Sequence, residues 1–273
     1  MRALPAVLLL DIGNSRIKWA RLPGSYRRGQ RFAARGALDL KRFDAPGAAL
    51  ERLLESMGSL ARIVACNVAG AAVERRLRAV ARRAGARAPQ FVRSAAIAAG
   101  VRNAYAEPWR LGADRWTALI GARFEHPGRT LCLVAVGTAL TIDLLDERGR
   151  HRGGSIIPGP ELMIKALLER TAGIRRRAGR NATQAMAHPG ASPGLFARDT
   201  RAAVRAGAVN AAAALIGESM RAARELLGRN PRLILSGGAA GKVASRLRVP
   251  YRRDDELVLR GLAVLRSRQS QFD

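Results

Sequence analysis

The 273-residue sequence has few cysteines and no long apolar run. Its two cysteines, Cys66 and Cys132, lie in apolar stretches and neither forms a CxxC pair, which predicts two buried thiols in a reducing cytoplasm. No segment approaches the ~20 apolar residues that a membrane span needs. A G-x-S-x-G motif is also missing, so nothing indicates a Ser/His/Asp hydrolase. The sequence therefore argues against a disulfide-stapled, membrane-spanning or serine-hydrolase protein.

Acidic residues are scarce, with 21 Asp and Glu against 48 Lys and Arg, giving a net charge of +27. Such a charge raises the possibility of nucleic-acid binding. However, all but four of the basic residues are arginines, and they are scattered with abundant Ala and Gly, as in proteins of GC-rich genomes. No aromatic residues interleave the densest clusters, and no helix-turn-helix or zinc pattern is present. We therefore expect no dedicated nucleic-acid binding, and an anionic substrate such as a nucleotide fits the same charge.

The first 20 residues predict two strands joined by a tight turn. Val7–Leu10 is continuously apolar and is followed by Asp11 and the small-residue turn Gly13–Ser15. After the turn, apolar and basic residues alternate over Arg16–Trp19 with a period of two, which is typical of a strand. The turn therefore joins two strands in a hairpin, whereas the glycine loop of a P-loop or Rossmann fold leads into a helix.

The same pattern returns later in the chain. Leu131–Asp146 again reads as an apolar strand, a Gly-Thr turn and a second strand, and a further strand runs into glycines at Leu233–Gly241. An internal repeat of this kind predicts a duplicated architecture. We expect an α/β protein with two actin-like (ribonuclease H-like) domains, residues 1–126 and 127–273, and a nucleotide cleft between them.

Three helices and one loop complete the secondary-structure prediction. Helices are expected over Ala71–Arg83, which Gly85 stops, over Trp116–Phe124, and over Ala202–Leu227, which Gly228 ends. The Gly- and Pro-rich stretch Gly153–Pro160 is expected to be a loop.

The first turn carries groups suited to phosphate and metal. Gly13 lets a ligand approach the backbone closely, and successive N–H groups can form an anion-binding nest. Asn14 and Ser15 add hydrogen-bond donors, Lys18 adds positive charge, and Asp11 can bind Mg²⁺. The alternative is a plain hairpin turn that contains Asn.

The second turn, Gly137–Ala139, offers small residues and the hydroxyl of Thr138. Alone it predicts only an ordinary tight turn. As the counterpart of the first turn, it becomes a second phosphate clamp.

Asp114 and Arg115 stand in the Gly-containing segment Leu111–Trp116. Phosphoryl transfer to an alcohol needs a carboxylate that deprotonates the hydroxyl and cations that offset the phosphoryl charge. The alternatives are a surface Asp–Arg pair or a helix N-cap at Asp114.

Seven segments together resemble the type III pantothenate kinases, also called the Bvg accessory factor family, among the actin-like and acetate-kinase-like phosphotransferases. They occur in the same order over nearly the whole chain: DIGNSRIKWA, NAYAEPWRLGADRW, VGTALTID, GGSIIPGPELM, DTRAAVRAG, LSGGAA and DELVLRGLAVL.

The resemblance implies ATP-dependent phosphorylation of pantothenate to 4'-phosphopantothenate, the first step of coenzyme A biosynthesis, by a cytoplasmic homodimer that uses Mg²⁺ with ATP. The alternatives are a DNA-binding transcriptional accessory protein and another small-molecule kinase of the superfamily. In this resemblance Asp114 is the general base, and Thr200 contacts pantothenate from the neighbouring subunit. The implied ATP contacts are Asp11, Ile12, Gly13, Asn14, Ser15, Arg16, Ile17, Lys18 and Thr138, and the implied pantothenate contacts are Tyr105, Gly112, Ala113, Asp114, Arg115 and Thr200.

One of the departures from the family pattern concerns a cation site. The second hairpin of these kinases usually opens with the aspartate of D-x-G-T, which takes part in binding a monovalent cation, K⁺ or NH₄⁺. Here that position is Ala135. An alanine methyl group cannot replace the carboxylate, so the sequence lacks one ligand of the usual cation site.

Overall fold

The computed structural model describes residues 6–40, 49–56, 62–179 and 194–269. In chain order its elements are β1 (Val7–Ile12), β2 (Arg16–Leu22), β3 (Ala34–Asp39), α1 (Ala49–Glu55), β4 (Arg62–Asn67), α2 (Ala71–Arg83), β5 (Gln90–Phe91), β6 (Ile97–Ala98), β7 (Val101–Arg102), a 3₁₀ turn (Pro108–Arg110), α3 (Ala113–Glu125), β8 (Leu131–Val136), β9 (Ala139–Leu145), β10 (His151–Pro158), α4 (Pro160–Arg170), α5 (Ala172–Ala178), α6 (Thr200–Leu227), β11 (Arg232–Ser236), α7 (Ala240–Ala244), β12 (Tyr251–Arg253) and α8 (Leu257–Gln269).

The chain folds into two compact units. Unit 1 comprises Met1–Arg129, Glu147–Arg152 and Glu256–Asp273, and unit 2 comprises Thr130–Asp146 and Gly153–Asp255. The division at residues 126 and 127 stays a prediction about domains. The compact units differ from it mainly at the C-terminal end, because α8 packs against α3, β1 and β4 of unit 1.

Unit 1 is built on a five-stranded sheet of order β3-β2-β1-β4-β5. The hairpin strands β1 and β2 pair antiparallel, whereas β4 adds to β1 in parallel. The central strand β1 is buried along Val7–Leu10, which explains why its sequence is continuously apolar rather than alternating. Leu8 and Leu10 pack with Leu50 of α1 and Leu77 of α2 in one hydrophobic core.

In unit 1, helices α3 and α8 cross with their backbones almost touching. A Cβ at Gly261 of α8 would lie 1.9 Å from the backbone oxygen of Thr117, and one at Gly121 of α3 would lie 2.2 Å from that of Leu257. Glycine at both crossing points therefore allows this close packing. Because α8 also packs on β1, it ties α3 to the sheet.

Unit 2 repeats the plan of unit 1 with the order β10-β9-β8-β11-β12. The hairpin β8–β9 is antiparallel and β11 joins β8 in parallel, as β4 joins β1. The long helix α6 has Asp199 as its N-cap, whose side chain accepts a hydrogen bond from the backbone N–H of Ala202, and Gly228 in the left-handed conformation as its C-cap. The predicted duplicated, actin-like α/β fold is confirmed.

The helix predictions are confirmed, although two of the helices begin earlier than predicted. Helix α2 spans Ala71–Arg83 as expected, and α6 begins two residues before the predicted Ala202. Helix α3 begins at Ala113, three residues before the predicted Trp116, because the chain leaves the extended Gly112 directly into the helix.

The prediction of a loop over Gly153–Pro160 is wrong. Most of this stretch forms β10, an edge strand of the second sheet. Pro158 has no backbone N–H to donate, and the last position of an edge strand tolerates such a residue. Pro160 then opens α4 at the first helical position, where its fixed φ suits the helix and no N–H is needed. Proline therefore marks the end of a strand and the start of a helix here, and does not indicate a loop.

The prediction that both cysteines are buried thiols is confirmed, since Cys66 and Cys132 are buried and free. Burial, together with Asp143, raises the pKa of Cys132 to about 12. Within the part of the chain that the structure describes, no helix combines the length and the apolar character that crossing a membrane requires.

Candidate active site

The first hairpin places Asp11 at the end of β1, between two neighbours from other strands. Asp11 pairs with Lys18 of β2 on one side and with Cys66 of β4 on the other. Beyond it, the backbone N–H of Gly13 donates to the oxygen of Arg16 at 3.0 Å, which leaves Asn14 and Ser15 exposed at the tip. The turn is therefore a regular two-residue hairpin loop, and its exposed polar groups are accessible to a ligand.

The environment of Asp11 is electrostatically unusual. Burial raises the pKa of its carboxyl group to about 6, Lys18 opposes this rise, and the negative charge of Asp114 adds to it. Two carboxylates from distant parts of the sequence therefore lie close enough to interact. Such paired carboxylates with shifted pKa values are common at sites of metal binding or proton transfer.

Asp114 lies in the first turn of α3, where the helix dipole favours a carboxylate. It is half-buried, and its Oδ1 accepts a hydrogen bond from the backbone N–H of Arg115 at 2.8 Å. The alternative of an N-cap at Asp114 is wrong, because the N-cap is Gly112 and no side chain caps the helix. Gly112 instead leaves room for the carboxylate, since a Cβ there would lie 2.7 Å from Asp114 Oδ1.

Arg115 joins the same region to Tyr105. One of its guanidinium nitrogens, Nη1, donates to the Tyr105 hydroxyl at 3.1 Å, and its Cζ lies 5.9 Å from the centre of the Tyr105 ring. Arg115 is only 6% exposed, so the alternative of a surface Asp–Arg pair is wrong. The structure thus brings Tyr105, Gly112, Ala113, Asp114 and Arg115 together, close to Asp11 and Lys18.

Two further residues of this region were missed by sequence reasoning. Cys66 is fully buried, and its thiol is hydrogen-bonded with Thr117 of α3. Burial and the charges of Asp11 and Asp114 raise the pKa of the Cys66 thiol well above its usual value, so it stays neutral and is not an activated nucleophile. Only the parallel pairing of β1 with β4 brings Cys66 beside Asp11, and no local motif signals that pairing.

The second hairpin, in unit 2, has a shorter turn. The N–H of Gly137 donates to the oxygen of Ala139 at 2.9 Å, which leaves only Thr138 at the tip. Thr138 is exposed, and so is Ala135, although the other residues of β8 are buried. Ala135 is the fifth residue of β8, as Asp11 is of β1, so it holds the equivalent place in the repeat.

The glycines after β11 form a bare backbone surface. Gly237 has a φ of +101°, and a Cβ there would lie 2.3 Å from the backbone oxygen of Val136. Its N–H donates to Asp255 Oδ1 at 3.0 Å, whereas Gly238 faces open space. Contact of this backbone with an adenine ring or ribose stays a prediction.

Thr200, the first residue of α6, lies in unit 2 with Ala135 and Thr138, whereas the other implied site residues lie in unit 1. It is the polar residue in the wall of a pocket of about 490 Å³ in unit 2, whose other lining residues are apolar or glycine and include Met163, Ile164, Leu167, Ile174 and Val204.

The residues of unit 1 fit Mg²⁺ that arrives with ATP. Among the described residues, no group of three or more His, Cys, Asp and Glu side chains forms a complete metal site. Mg²⁺ at kinase sites is usually held by one or two carboxylates together with substrate phosphates, and Asp11 and Asp114 offer such oxygens. The monovalent-cation site fits poorly, because Ala135 presents a methyl group where the family has a carboxylate.

The duplicated sheets, each led by a hairpin with a tight turn, define an actin-like α/β protein. A family model described as type III pantothenate kinase matches residues 7–222. The chain is 42% identical over 260 residues to the type III pantothenate kinase of Aromatoleum aromaticum, covering 95% of this chain and 97% of the relative. It is 37% identical over 262 residues to that of Nitrosococcus oceani, covering 94% and 92%. The chain belongs to the type III pantothenate kinase family.

Solved structures agree on the fold. A Baf family protein of Campylobacter jejuni, described as a transcriptional activator, has a TM-score of 0.59 at 18% identity, over 97% of this chain and 99% of that one. At this identity the likeness supports the fold alone.

Proposed function

We propose that this protein transfers the γ-phosphoryl group of ATP to the 4'-hydroxyl of pantothenate, giving 4'-phosphopantothenate and ADP, the first step of coenzyme A biosynthesis. Family membership supports the substrate. The observation that carries the chemistry is the half-buried Asp114, which lies near Asp11 and directly before Arg115, a buried residue that is hydrogen-bonded to the half-buried Tyr105.

In the proposed reaction Asp114 accepts the proton of the substrate hydroxyl as its oxygen attacks the γ-phosphorus. The bond between that phosphorus and the oxygen bridging to the β-phosphate breaks, and ADP leaves. A carboxylate that orients and deprotonates an alcohol typically contributes about 10²–10⁴-fold to the rate. The room left by Gly112 lets the Asp114 carboxylate adopt the required orientation.

Binding is divided among the remaining residues. We assign the turn from Asp11 to Lys18 and the hydroxyl of Thr138 to the ATP phosphates, and Tyr105 and Gly112–Arg115 to pantothenate. Lys18 and Arg115 offset negative charge on the reacting groups. Asp11 holds Mg²⁺, which when bound neutralises part of the phosphate charge. Ala135 leaves the usual K⁺ or NH₄⁺ site without its carboxylate, so we propose that no step depends on that ion.

We further propose a cytoplasmic homodimer in which Thr200 contributes to the neighbouring subunit's substrate site. Thr200 borders an apolar pocket, and Leu167 of α4, which lines the same pocket, is 38% exposed. Apolar side chains that are exposed together are typical of a surface that another chain covers. Two buried free thiols agree with a reducing compartment.

An assay that couples ADP release to a visible signal tests the function across pantothenate, acetate and sugars. We expect turnover with pantothenate, phosphorylated pantothenate by mass spectrometry, and no turnover with the other acceptors. Turnover with acetate or a sugar in the absence of activity on pantothenate would instead identify another small-molecule kinase of the superfamily.

A further inference from the structure

His151 is a buried aromatic neighbour of the proposed substrate site. It is the first residue of β10 and is only 3% exposed. Its ring lies 6.0 Å from the ring of Tyr105, with the two planes 19° apart, which is the geometry of an offset stack. Arg115 donates to the hydroxyl of the same tyrosine. The Tyr105 side chain therefore contacts both His151 and Arg115.

Tyr105 needs such support because its own chain segment is irregular. It lies between β7 and the 3₁₀ turn, and the side chain of Asn103 holds its backbone: the N–H of Tyr105 donates to Asn103 Oδ1 at 3.0 Å, and Asn103 Nδ2 donates to the oxygen of Pro108 at 3.1 Å. These bonds fix the backbone and leave the direction of the phenol ring to its side-chain neighbours. The contacts with Arg115 and His151 fix that direction.

The segment that carries His151 is anchored independently of Tyr105. The N–H of Arg102 donates to the oxygen of Gly149 at 2.9 Å, and Nη1 of Arg123 donates to the oxygen of Glu147 at 2.8 Å. Gly149 has a φ of +82°, and a Cβ there would lie 2.1 Å from the backbone oxygen of Gly100. His151 therefore approaches Tyr105 from a segment that is fixed to β7 and α3.

We infer that His151 is a positioning residue, which holds the Tyr105 ring so that its hydroxyl and the guanidinium of Arg115 meet pantothenate as one rigid unit. This inference rests on the proposed function, because it assigns a task to the pantothenate-binding residues. His151 acts through Tyr105 and has no contact with the substrate in this scheme. A rigid, pre-oriented binding group loses less conformational entropy when substrate binds, so the effect falls on substrate affinity.

Steady-state kinetics of four variants test the inference: His151→Leu, His151→Phe, Tyr105→Leu and the double variant with both leucines. We expect His151→Leu to raise KM for pantothenate about tenfold, with KM for ATP within about twofold of the wild type. His151→Phe keeps a flat ring and should stay within about threefold of the wild type. The double variant should bind pantothenate no more weakly than Tyr105→Leu alone, because both changes remove one shared interaction.

Several outcomes would overturn the inference. These are an unchanged KM for pantothenate in a folded His151→Leu protein, equal damage from phenylalanine and leucine, and additive effects in the double variant. Thermal unfolding monitors folding, and His151→Gln, which also lacks a ring, replaces His151→Leu if the latter does not fold. A wild-type protein that does not phosphorylate pantothenate would overturn the proposed function as well, whereas an active wild type with an unaffected His151→Leu variant overturns the positioning role alone.

Discussion

The carboxylate of Asp114, in the first turn of α3, lies close enough to that of Asp11, near the end of β1, to raise the pKa of Asp11. Lys18, the cross-strand partner of Asp11, opposes this effect but does not cancel it. The fold thus keeps two acidic groups near each other at a half-buried site. Such an arrangement stores electrostatic strain that a bound cation or an incoming proton can relieve.

Replacing Asp11 by Asn should therefore stabilise the protein while impairing it as a kinase. Burial raises the pKa of Asp11 in the folded protein to about 6, whereas in the unfolded chain the carboxyl group has its ordinary pKa of about 3.8. The free energy of unfolding therefore falls as pH rises through this window, and removing the charge should restore about 1–3 kcal/mol at pH 7. The gain should vanish toward pH 4.

Urea unfolding between pH 4 and pH 8, together with turnover at pH 7, checks this prediction. Asp39→Asn, which changes an exposed carboxylate on β3 of the same sheet, is the matched control and should alter neither quantity. A lower stability of Asp11→Asn at pH 7 would contradict the assignment of Asp11 as a destabilising buried charge.

Asp114→Asn should reduce kcat by at least ~10²-fold, because an amide cannot accept the proton of the substrate hydroxyl. The helix should still form, since no side chain caps α3. Removing the charge at Asp114 should also lower the pKa of Asp11, which a carbon-13 NMR titration can follow. Glu107→Gln, at an exposed carboxylate just before the 3₁₀ turn, is the control. Turnover close to that of the wild type in Asp114→Asn would exclude its role as general base.

Gly112→Ala separates the position of the carboxylate from its chemistry. Gly112 has φ −53° and ψ 134°, a conformation that alanine adopts without strain, so stability should change by less than about 1 kcal/mol. The new Cβ would lie 2.7 Å from Asp114 Oδ1, which forces the carboxylate to turn away. We expect kcat to fall by about 10²-fold, as small misplacements of reacting groups can cause. Gly24→Ala, where the added methyl group meets no atom within 4 Å, should leave kcat unchanged.

The sequence predicts the hairpins and α2 well, because their signals are local: a period-two strand, a small-residue turn and an amphipathic helix. It also predicts a site formed by Tyr105 and Gly112–Arg115. The structure brings these residues together near Asp11, and their contact with a substrate stays a prediction. It does not predict that Cys66 lies beside Asp11 or that His151 stacks on Tyr105, because both contacts depend on strand pairing or packing between distant segments. For the same reason the sequence does not predict that α8, at the end of the described chain, packs on unit 1.

Potassium should have little effect on turnover. Hard cations need oxygen ligands, and the side chain of Ala135 offers none. We therefore expect turnover measured in K⁺ and turnover measured in a bulky organic cation to agree within about twofold. Ala135→Asp supplies a carboxylate at an exposed position of β8 and should make turnover respond to K⁺. Ala139→Asp, at another exposed alanine of the same hairpin, is the control and should not. Strong stimulation of the wild-type protein by K⁺ would show that other oxygens complete the site.

Gly261→Ala tests whether the α3–α8 crossing supports the site. The added Cβ would lie 1.9 Å from the backbone oxygen of Thr117, and because that atom belongs to the α3 backbone, the two helices must move apart. We expect the free energy of unfolding to fall by about 3 kcal/mol, which is at the upper end for overpacking. We also expect kcat to fall, because α3 carries Asp114 and Arg115. Gly217→Ala in α6, where the methyl group meets open space, should instead stabilise the protein by about 0.5–1 kcal/mol. Urea unfolding of both variants measures the difference, and a Gly261→Ala protein as stable as the wild type would mean that the helices do not pack this closely.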